Sequence, residues 1–233
     1  MAVRKGRLTL RGDGEITRKR ILDHAERLFA IDGYTGVSVR KITGAAKVDL
    51  ALVNYYFGSK EKLFQEVLIR RVDEMSRQRC EKLAQIKIRR NSVASVTALL
   101  DAFLMPIIGS TPEEVVELKN YRALIALVAN SKTWQTVVFK EHYDPVATQY
   151  IQALAVALPE VARTDICWAF SFYLGSVVNA LAETARIDRL SNGQCRSSDL
   201  VEARRQLIHY SVAGFIGLPR TKKTRRTTTR AKT

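Results

Sequence analysis

Between Val48 and Lys62 the chain reads VDLALVNYYFGSKEK, with Asn54, Tyr55 and Tyr56 side by side near its middle. An asparagine amide both donates and accepts, which suits the N6/N7 edge of adenine or a phosphate oxygen. The two phenols offer hydroxyls to phosphate and ring faces to thymine methyls or sugars. Ala51 and Leu52 are small or apolar enough to meet thymine methyls. Ser38, Arg40, Lys41, Lys47 and Lys60 surround this set and are candidates for backbone contacts. Phosphate contacts set register and base edges set specificity. The chemistry on offer is recognition of a nucleic acid.

Catalytic patterns are hard to find beside it. There is no GxxxxGK[ST] and no GxSxG, and GDGEIT lacks the third glycine and the preceding strand of a dinucleotide fingerprint. His24, His142 and His209 do not form HExxH, and no His/Cys cluster has zinc-ligand spacing. An enzyme and a metal cofactor are therefore not expected. Cys80, Cys167 and Cys195 are odd in number and far apart, which fits reduced thiols in a cytoplasmic protein. No apolar run reaches the length of a membrane span, and the basic N-terminus has no apolar stretch of the secretory kind.

Charge is uneven over the 233 residues. The net +15 divides into +6 over residues 1–60, +2 over 61–218 and +7 over 219–233. A near-neutral middle between two basic ends favours polyanion binding at those ends, because each neutralised phosphate releases counterions.

The elements that must position these residues read as helices. Ile21, Leu22, Ala25, Leu28 and Phe29 share one face of a first helix, expected to start between Asp13 and Thr17 and to end at Gly33. Ser38 caps a second, short helix with Val39, Ile42 and Ala46 inward. Asp49 caps a third, with Leu50, Val53 and Phe57 inward. Two short helices joined by a tight turn make a helix-turn-helix, whose second member enters the major groove. Ser59 then opens a long helix toward Ile88, carrying Phe64, Val67, Leu68, Arg71, Val72 and Met75 at helical spacing. Further on, Pro106 kinks or ends one helix, and Thr111-Pro112 with Glu114 makes a capping box. A break falls near Asp144-Pro145. The segment from Thr164 is apolar all round, so it is buried or half of it faces another subunit. Asp199 starts the last helix, Pro219 stops it, and the basic end reads as a disordered tail. The fold class is all-α. A basic arm (1–14) precedes a helix-turn-helix domain (15–60), then a larger helical domain (61–218) and the basic tail (219–233).

Residues 15–65 resemble the DNA-binding domain of TetR-family transcriptional regulators. TRKRILDHAERLFAIDGYTGVSVRKIT and AAKVDLALVNYYFGSKEKLF carry the likeness, through Leu28-Phe29, Gly33, Ser38, Ile42, Phe57, Lys60, Glu61 and Leu63. The chain departs from the pattern at Lys47, where the family often has Gly, at Asp49, where it often has Ser or Thr, and at Asn54, where it usually has Tyr. The C-terminal words HYDPV, WAFSFYLGS and LSNGQC resemble the PsrA-like subgroup, associated with fatty acids or acyl-CoA. The resemblance implies a homodimer on double-stranded operator DNA, a repressor released by a small apolar effector. It implies a dimer interface through helices near 164–187 and 200–217, with Trp168, Gly175, Ser176, Ala180, Leu207 and Phe215 as candidates. It also implies an effector cavity within helices of 95–185, for which Phe103, Tyr121, Leu124, Trp134, Phe139, His142, Trp168 and Phe172 are candidates. A second reading is a non-specific or architectural nucleic-acid-binding protein that works through its basic ends.

Overall fold

The computed structural model describes the backbone of residues 3–221 and the side chains of residues 13–221. Most of the basic arm's side chains, and residues 222–233 of the basic tail, lie outside this set. Among the described residues the architecture is all-helical, with one isolated β-bridge between Val161 and Arg220.

Helix α1 (Val3–Gly36) begins earlier than the sequence suggests. The Arg, Lys and Leu residues before Asp13 favour a helix and no proline interrupts them, which outweighs the cost of Gly6 and Gly12. Its apolar stripe, Ile21, Leu22, Ala25, Leu28 and Phe29, is buried as expected. Gly33, at φ 69°, ψ 175°, leaves the helical conformation and kinks the end. Helix α2 (Val39–Ala46) starts where the Ser38 hydroxyl accepts the Lys41 N–H at 3.1 Å. It ends on Lys47, which sits in the left-handed region at φ 51°. Helix α3 (Leu50–Phe57) starts where Asp49 accepts the Ala51 N–H at 2.7 Å. Its buried anchors are Val53 and Phe57. Gly58 follows at φ 75°, a conformation that would strain a side chain, and reverses the chain into helix α4 (Lys60–Ile69), capped by Ser59.

The long helix expected from Ser59 to Ile88 is two helices. Helix α4 stops at Ile69, and α5 (Val72–Gln85) resumes after a step at Arg70-Arg71. The physical reason is the fate of the two guanidiniums. Arg70 reaches Asp23 at 2.8 Å and Glu26 at 3.0 Å; Arg71 reaches Glu26 at 3.6 Å and Glu117 at 2.8 Å. Adjacent residues on a straight helix point about 100° apart, so convergence on one carboxylate favours a step in the backbone.

The remainder wraps around α6 (Val93–Ile108), which is buried along most of its length, Pro106 included. The proline neither ends the helix nor begins a new one; the chain leaves at Gly109. Helix α7 (Pro112–Glu117) has the expected Thr111 cap, with the Glu114 carboxylate reaching back to the Ser110 N–H at 2.6 Å, one residue earlier than a regular capping box. Helix α8 (Lys119–Val128) packs on α1 and carries Arg122, whose buried guanidinium closes the carbonyls of Ile108 and Val115 at 3.1 and 2.7 Å. Short turns α9 (Lys132–Trp134) and α10 (Lys140–His142) flank a π-helical turn at Gln135–Phe139. The break near Asp144-Pro145 is present, and α11 (Asp144–Ala157) starts there. Helix α12 (Arg163–Leu181) turns Ile166, Phe170, Tyr173, Val177 and Leu181 inward. After α13 (Arg186–Leu190), helix α14 (Leu200–Ile216) packs on α6 and α12, capped by Asp199 at the Glu202 N–H. The tail does not begin at Pro219. Arg220 pairs with Glu160 at 3.0 Å, and the Thr221 N–H meets the Glu160 carbonyl at 2.6 Å. No helix among the described residues is long and apolar enough to cross a membrane.

Burial pushes the Glu26 carboxyl up, against the pull of Arg70 and Arg71. Removing it leaves two partly buried cations sharing only Asp23 and Glu117. Glu26→Ala should therefore cost about 2–3 kcal/mol in urea unfolding. A loss under about 0.5 kcal/mol would show that the cluster does not hold the junction.

Candidate nucleic-acid interface

The exposed face of α3 follows from its two anchors. With Val53 and Phe57 in the core, Leu50, Ala51, Asn54 and Tyr55 are turned outward. Tyr55 is 80 % exposed, the most open large apolar residue of the described chain. Among the described residues neither the Asn54 amide nor the Tyr55 hydroxyl is held by an intramolecular side-chain hydrogen bond, so both are free for a partner. Leu50, expected inward, is 40 % exposed. Its spacing to Val53 and Phe57 is right, but it occupies the first turn, which Asp49 caps at the rim of the domain.

The two tyrosines differ in role. Tyr55 stands clear. Tyr56 is half-buried, edge-on to Phe57 at 6.2 Å, and its hydroxyl lies where a Cβ on Gly14 would meet it at 3.3 Å. It therefore packs against α1 as well as bordering the exposed face. Leu52 is half-buried beside the core of the small domain.

The basic candidates also separate. Arg40 and Lys47 are exposed, without an ion pair among the described residues. Lys41 is exposed but paired with Asp32 at 2.6 Å, so a phosphate must compete with that carboxylate. The Lys60 ammonium lies 4.4 Å from the Tyr34 ring centroid, a cation–π contact that fixes it near the start of α4. Ser38 uses its oxygen to cap α2, leaving its hydroxyl hydrogen to donate elsewhere.

The interior candidates do not converge on one chamber. Trp134 packs on Tyr34 and Phe64, with centroids 5.7 and 4.6 Å away, at the junction with the small domain. Phe139 stacks on Tyr143 at 4.7 Å, His142 is half-buried, and Leu124 is fully buried in the core. Trp168 and Phe172 are 65 % and 67 % exposed and stack on each other at 5.8 Å, so they lie outside the bundle rather than in an effector cavity. The reason is register: the inward stripe of α12 runs through Ile166, Phe170 and Tyr173, and these two face away from it. Phe103 and Tyr121 belong to a polar interior made with Arg79, Tyr143, Tyr150 and Tyr173, and Phe139 borders it through Tyr143.

That interior was missed from sequence, although Val72, Met75 and Arg79 share one stripe and so place the arginine among buried residues. Arg79 Nε donates to the Phe103 carbonyl at 2.8 Å, and its guanidinium carbon lies 4.2 Å from that ring's centroid. The Tyr150 hydroxyl donates to the Arg79 carbonyl and that of Tyr173 to the Leu100 carbonyl, both at 2.7 Å. The Tyr121 and Tyr143 hydroxyls, 2.6 Å apart, reach the Leu68 carbonyl at 2.7 and 3.2 Å. Burial pushes the Tyr143 hydroxyl up to about 12 and raises Tyr121, Tyr150 and Tyr173 as well. All four stay neutral at physiological pH and cannot neutralise Arg79.

Of the dimer-interface candidates, Gly175 is exposed with open space around it, Ser176 and Ala180 are half-buried beside it, and Trp168 is exposed. Trp168 and Ser176, but not Gly175 or Ala180, line a shallow groove of about 280 Å³ between α12 and α14, together with Phe172, Tyr210 and Gly214. Leu207 is half-buried, and Phe215, 1 % exposed, is sealed within its own chain by the packing of α14 on the core. Phe215 also lines the groove, but offers a second subunit little surface. Among the described residues no group of three or more His, Cys, Asp or Glu is placed to hold a metal ion, and the three cysteines are free thiols.

A capped helix-turn-helix on a larger helical body is an architecture found in DNA-binding transcription regulators. Residues 21–67 match the model of the bacterial regulatory proteins of the tetR family, and residues 101–214 match the tetracyclin repressor-like C-terminal domain. The chain belongs to the TetR family of transcription regulators. It is 46 % identical over 52 residues to the HTH-type transcriptional repressor NicS of Pseudomonas putida, a match spanning 22 % of this chain and 24 % of that protein. Its fold is similar to that of a protein from Shewanella sp. PV-4 assigned to the TetR family, with TM-score 0.60 and 18 % identity over 85 % of this chain and 97 % of the other. It is also similar to the fatty acid degradation regulator FadR from Bacillus halodurans, with TM-score 0.57 and 13 % identity over 82 % and 94 % of the two chains.

The caps of α2 and α3 can be tested apart from DNA. Asp49→Ala removes a side-chain cap and should cost about 1 kcal/mol. Lys47→Gly relieves a left-handed residue by about 1–2 kcal/mol and loses about 0.5–1 kcal/mol to chain entropy, for a net gain of roughly 0.5 kcal/mol. Chemical denaturation of both variants checks the signs; a stabilising Asp49→Ala would contradict the cap.

Proposed function

We propose that this protein is a sequence-specific DNA-binding transcriptional regulator, a cytoplasmic repressor that binds its operator as a homodimer and leaves it when a small ligand binds. The observation that carries the reading is the outward face of α3. Leu50, Ala51, Asn54 and Tyr55 are held on a helix fixed by two buried anchors and a side-chain cap, with polar groups unspent inside the molecule. Base edges are read by Asn54, with Tyr55, Ala51 and Leu52 against methyl groups, while Ser38, Arg40, Lys41, Lys47, Tyr56 and Lys60 face the backbone.

The stacked Trp168 and Phe172, with Tyr210, supply the dimer face. Exposed aromatics grouped on one surface mark an interaction site more than scattered single ones do. Two copies paired through α12 and α14 would present two α3 helices to half-sites about one helical turn or more apart. Ligand binding within the larger domain changes that spacing. The resemblance to PsrA-like regulators points to a fatty acid or acyl-CoA, and the similar fold of a fatty acid degradation regulator is compatible with it.

Binding assays at physiological salt should show at least about a 10³-fold preference for the right palindromic upstream fragment over random DNA. Equal affinity for both would favour an architectural protein. Lys60→Ala should weaken all sequences similarly and lower the salt slope by about 1; an unchanged slope removes Lys60 from the contacts. In sedimentation the protein should run at twice its 26.2 kDa chain mass, and Trp168→Asp should shift it toward the single chain. A wild-type protein of single-chain mass would end the dimer reading.

A further inference from the structure

Arg79 is 5 % exposed and lies at the centre of the larger domain. Its Nε bond to the Phe103 carbonyl is its one side-chain hydrogen bond among the described residues, and no carboxylate there pairs with it. Buried Arg122 and half-buried Arg71 are treated differently. Arg122 closes two carbonyls and has Glu183 at 3.8 Å; Arg71 has Glu26 and Glu117. Among the described residues the side-chain atoms that are both sealed from water and without a hydrogen bond are Glu26 Oε2, Arg71 Nε, Arg122 Nε and Ser211 Oγ. The terminal nitrogens of Arg79 are not among them, so they combine a lack of partners with residual access.

An unpaired buried cation is costly, and an arginine does not escape by losing its proton at any physiological pH. What surrounds it is aromatic and neutral. Phe103 lies against the guanidinium, with Tyr150, Phe170 and Tyr173 around Phe103 at 5.1, 5.2 and 6.2 Å. Four donors of a planar fork, next to ring faces, match a carboxylate carried on a flat or flexible apolar body.

We propose that this cluster is the seat of a small organic anion, whose single carboxylate is taken by the two terminal nitrogens of Arg79 and whose apolar body lies among Phe103, Tyr150, Phe170 and Tyr173. The proposal rests on the ligand-responsive reading above and specifies its chemistry: an effector with one charged end. The same cluster is tied to the DNA-reading end. Tyr150 holds the Arg79 carbonyl, and Tyr121 and Tyr143 hold the Leu68 carbonyl two residues before the Arg70-Arg71 step. A ligand that moves these tyrosines moves the end of α4.

Thermal unfolding of the full chain with sodium benzoate and sodium octanoate, against benzamide and sodium chloride at matched ionic strength, tests the site. At least one carboxylate should raise the wild-type midpoint by about 3–6 °C at tenfold excess over its Kd, with benzamide inert. Arg79→Met should unfold no lower than wild type without ligand and should lose the carboxylate-dependent rise. Arg79→Lys, which keeps the charge without the fork, should keep a reduced rise. If neither carboxylate gives a wild-type rise that Arg79→Met lacks, the proposal is overturned. Operator retention in the same samples separates the two levels: DNA released by a neutral apolar compound, with both carboxylates inert, would leave the ligand-responsive reading standing and remove this one.

Discussion

Glu26 lies buried between the guanidiniums of Arg70 and Arg71, and the relation between the two domains depends on that contact. It fastens α1 to the point where α4 gives way to α5. Asp23 and Glu117 complete the charge balance on either side, and Arg71 also lies over the Tyr121 ring at 5.9 Å. Tyr121 in turn holds the Leu68 carbonyl. A carboxylate from the first helix, two arginines at a step and a tyrosine from the body thus form one connected junction. Buried charges of this kind are weak evidence for stability and better evidence for a fixed geometry. Here the geometry fixed is that of α1, and so of the small domain, relative to the helices behind it.

The small domain was legible because its signals are local. The apolar stripe of α1 and the caps Ser38, Asp49 and Ser59 lie within a turn or two of what they determine, and each does what its residue type suggests. Lys47 takes the left-handed turn usually given to glycine, at the cost of some strain. The outward side of α3 followed from two buried positions, although Leu50 escaped the pattern because a helix's first turn can leave the core while keeping its register.

The larger domain was less legible, for reasons of packing. Periodicity tells that α12 is apolar on two sides but not which side the bundle covers: Trp168, expected both in the effector cavity and at the dimer face, and Phe172, expected in the cavity, lie outside the bundle. Phe215 failed in the opposite sense, being used up within its own chain. The step at Arg70-Arg71 was invisible because each arginine alone suits a helix; only their shared partner on a distant element, Glu26, breaks the run. Arg79 carries no signal in the sequence, because an arginine is ordinarily exposed; only the burial of the stripe it shares with Val72 and Met75 places it inside.

The central claim is that α3 reads base sequence through Asn54 and its neighbours. The most direct measurement is selection of bound fragments from a random DNA pool, sequenced in parallel for the wild type and for Asn54→Ala. If α3 reads bases through Asn54, the wild type enriches a palindromic motif, and the variant relaxes the preference at one symmetric pair of positions. A pool with no enriched motif, or a motif unchanged by the substitution, would contradict it.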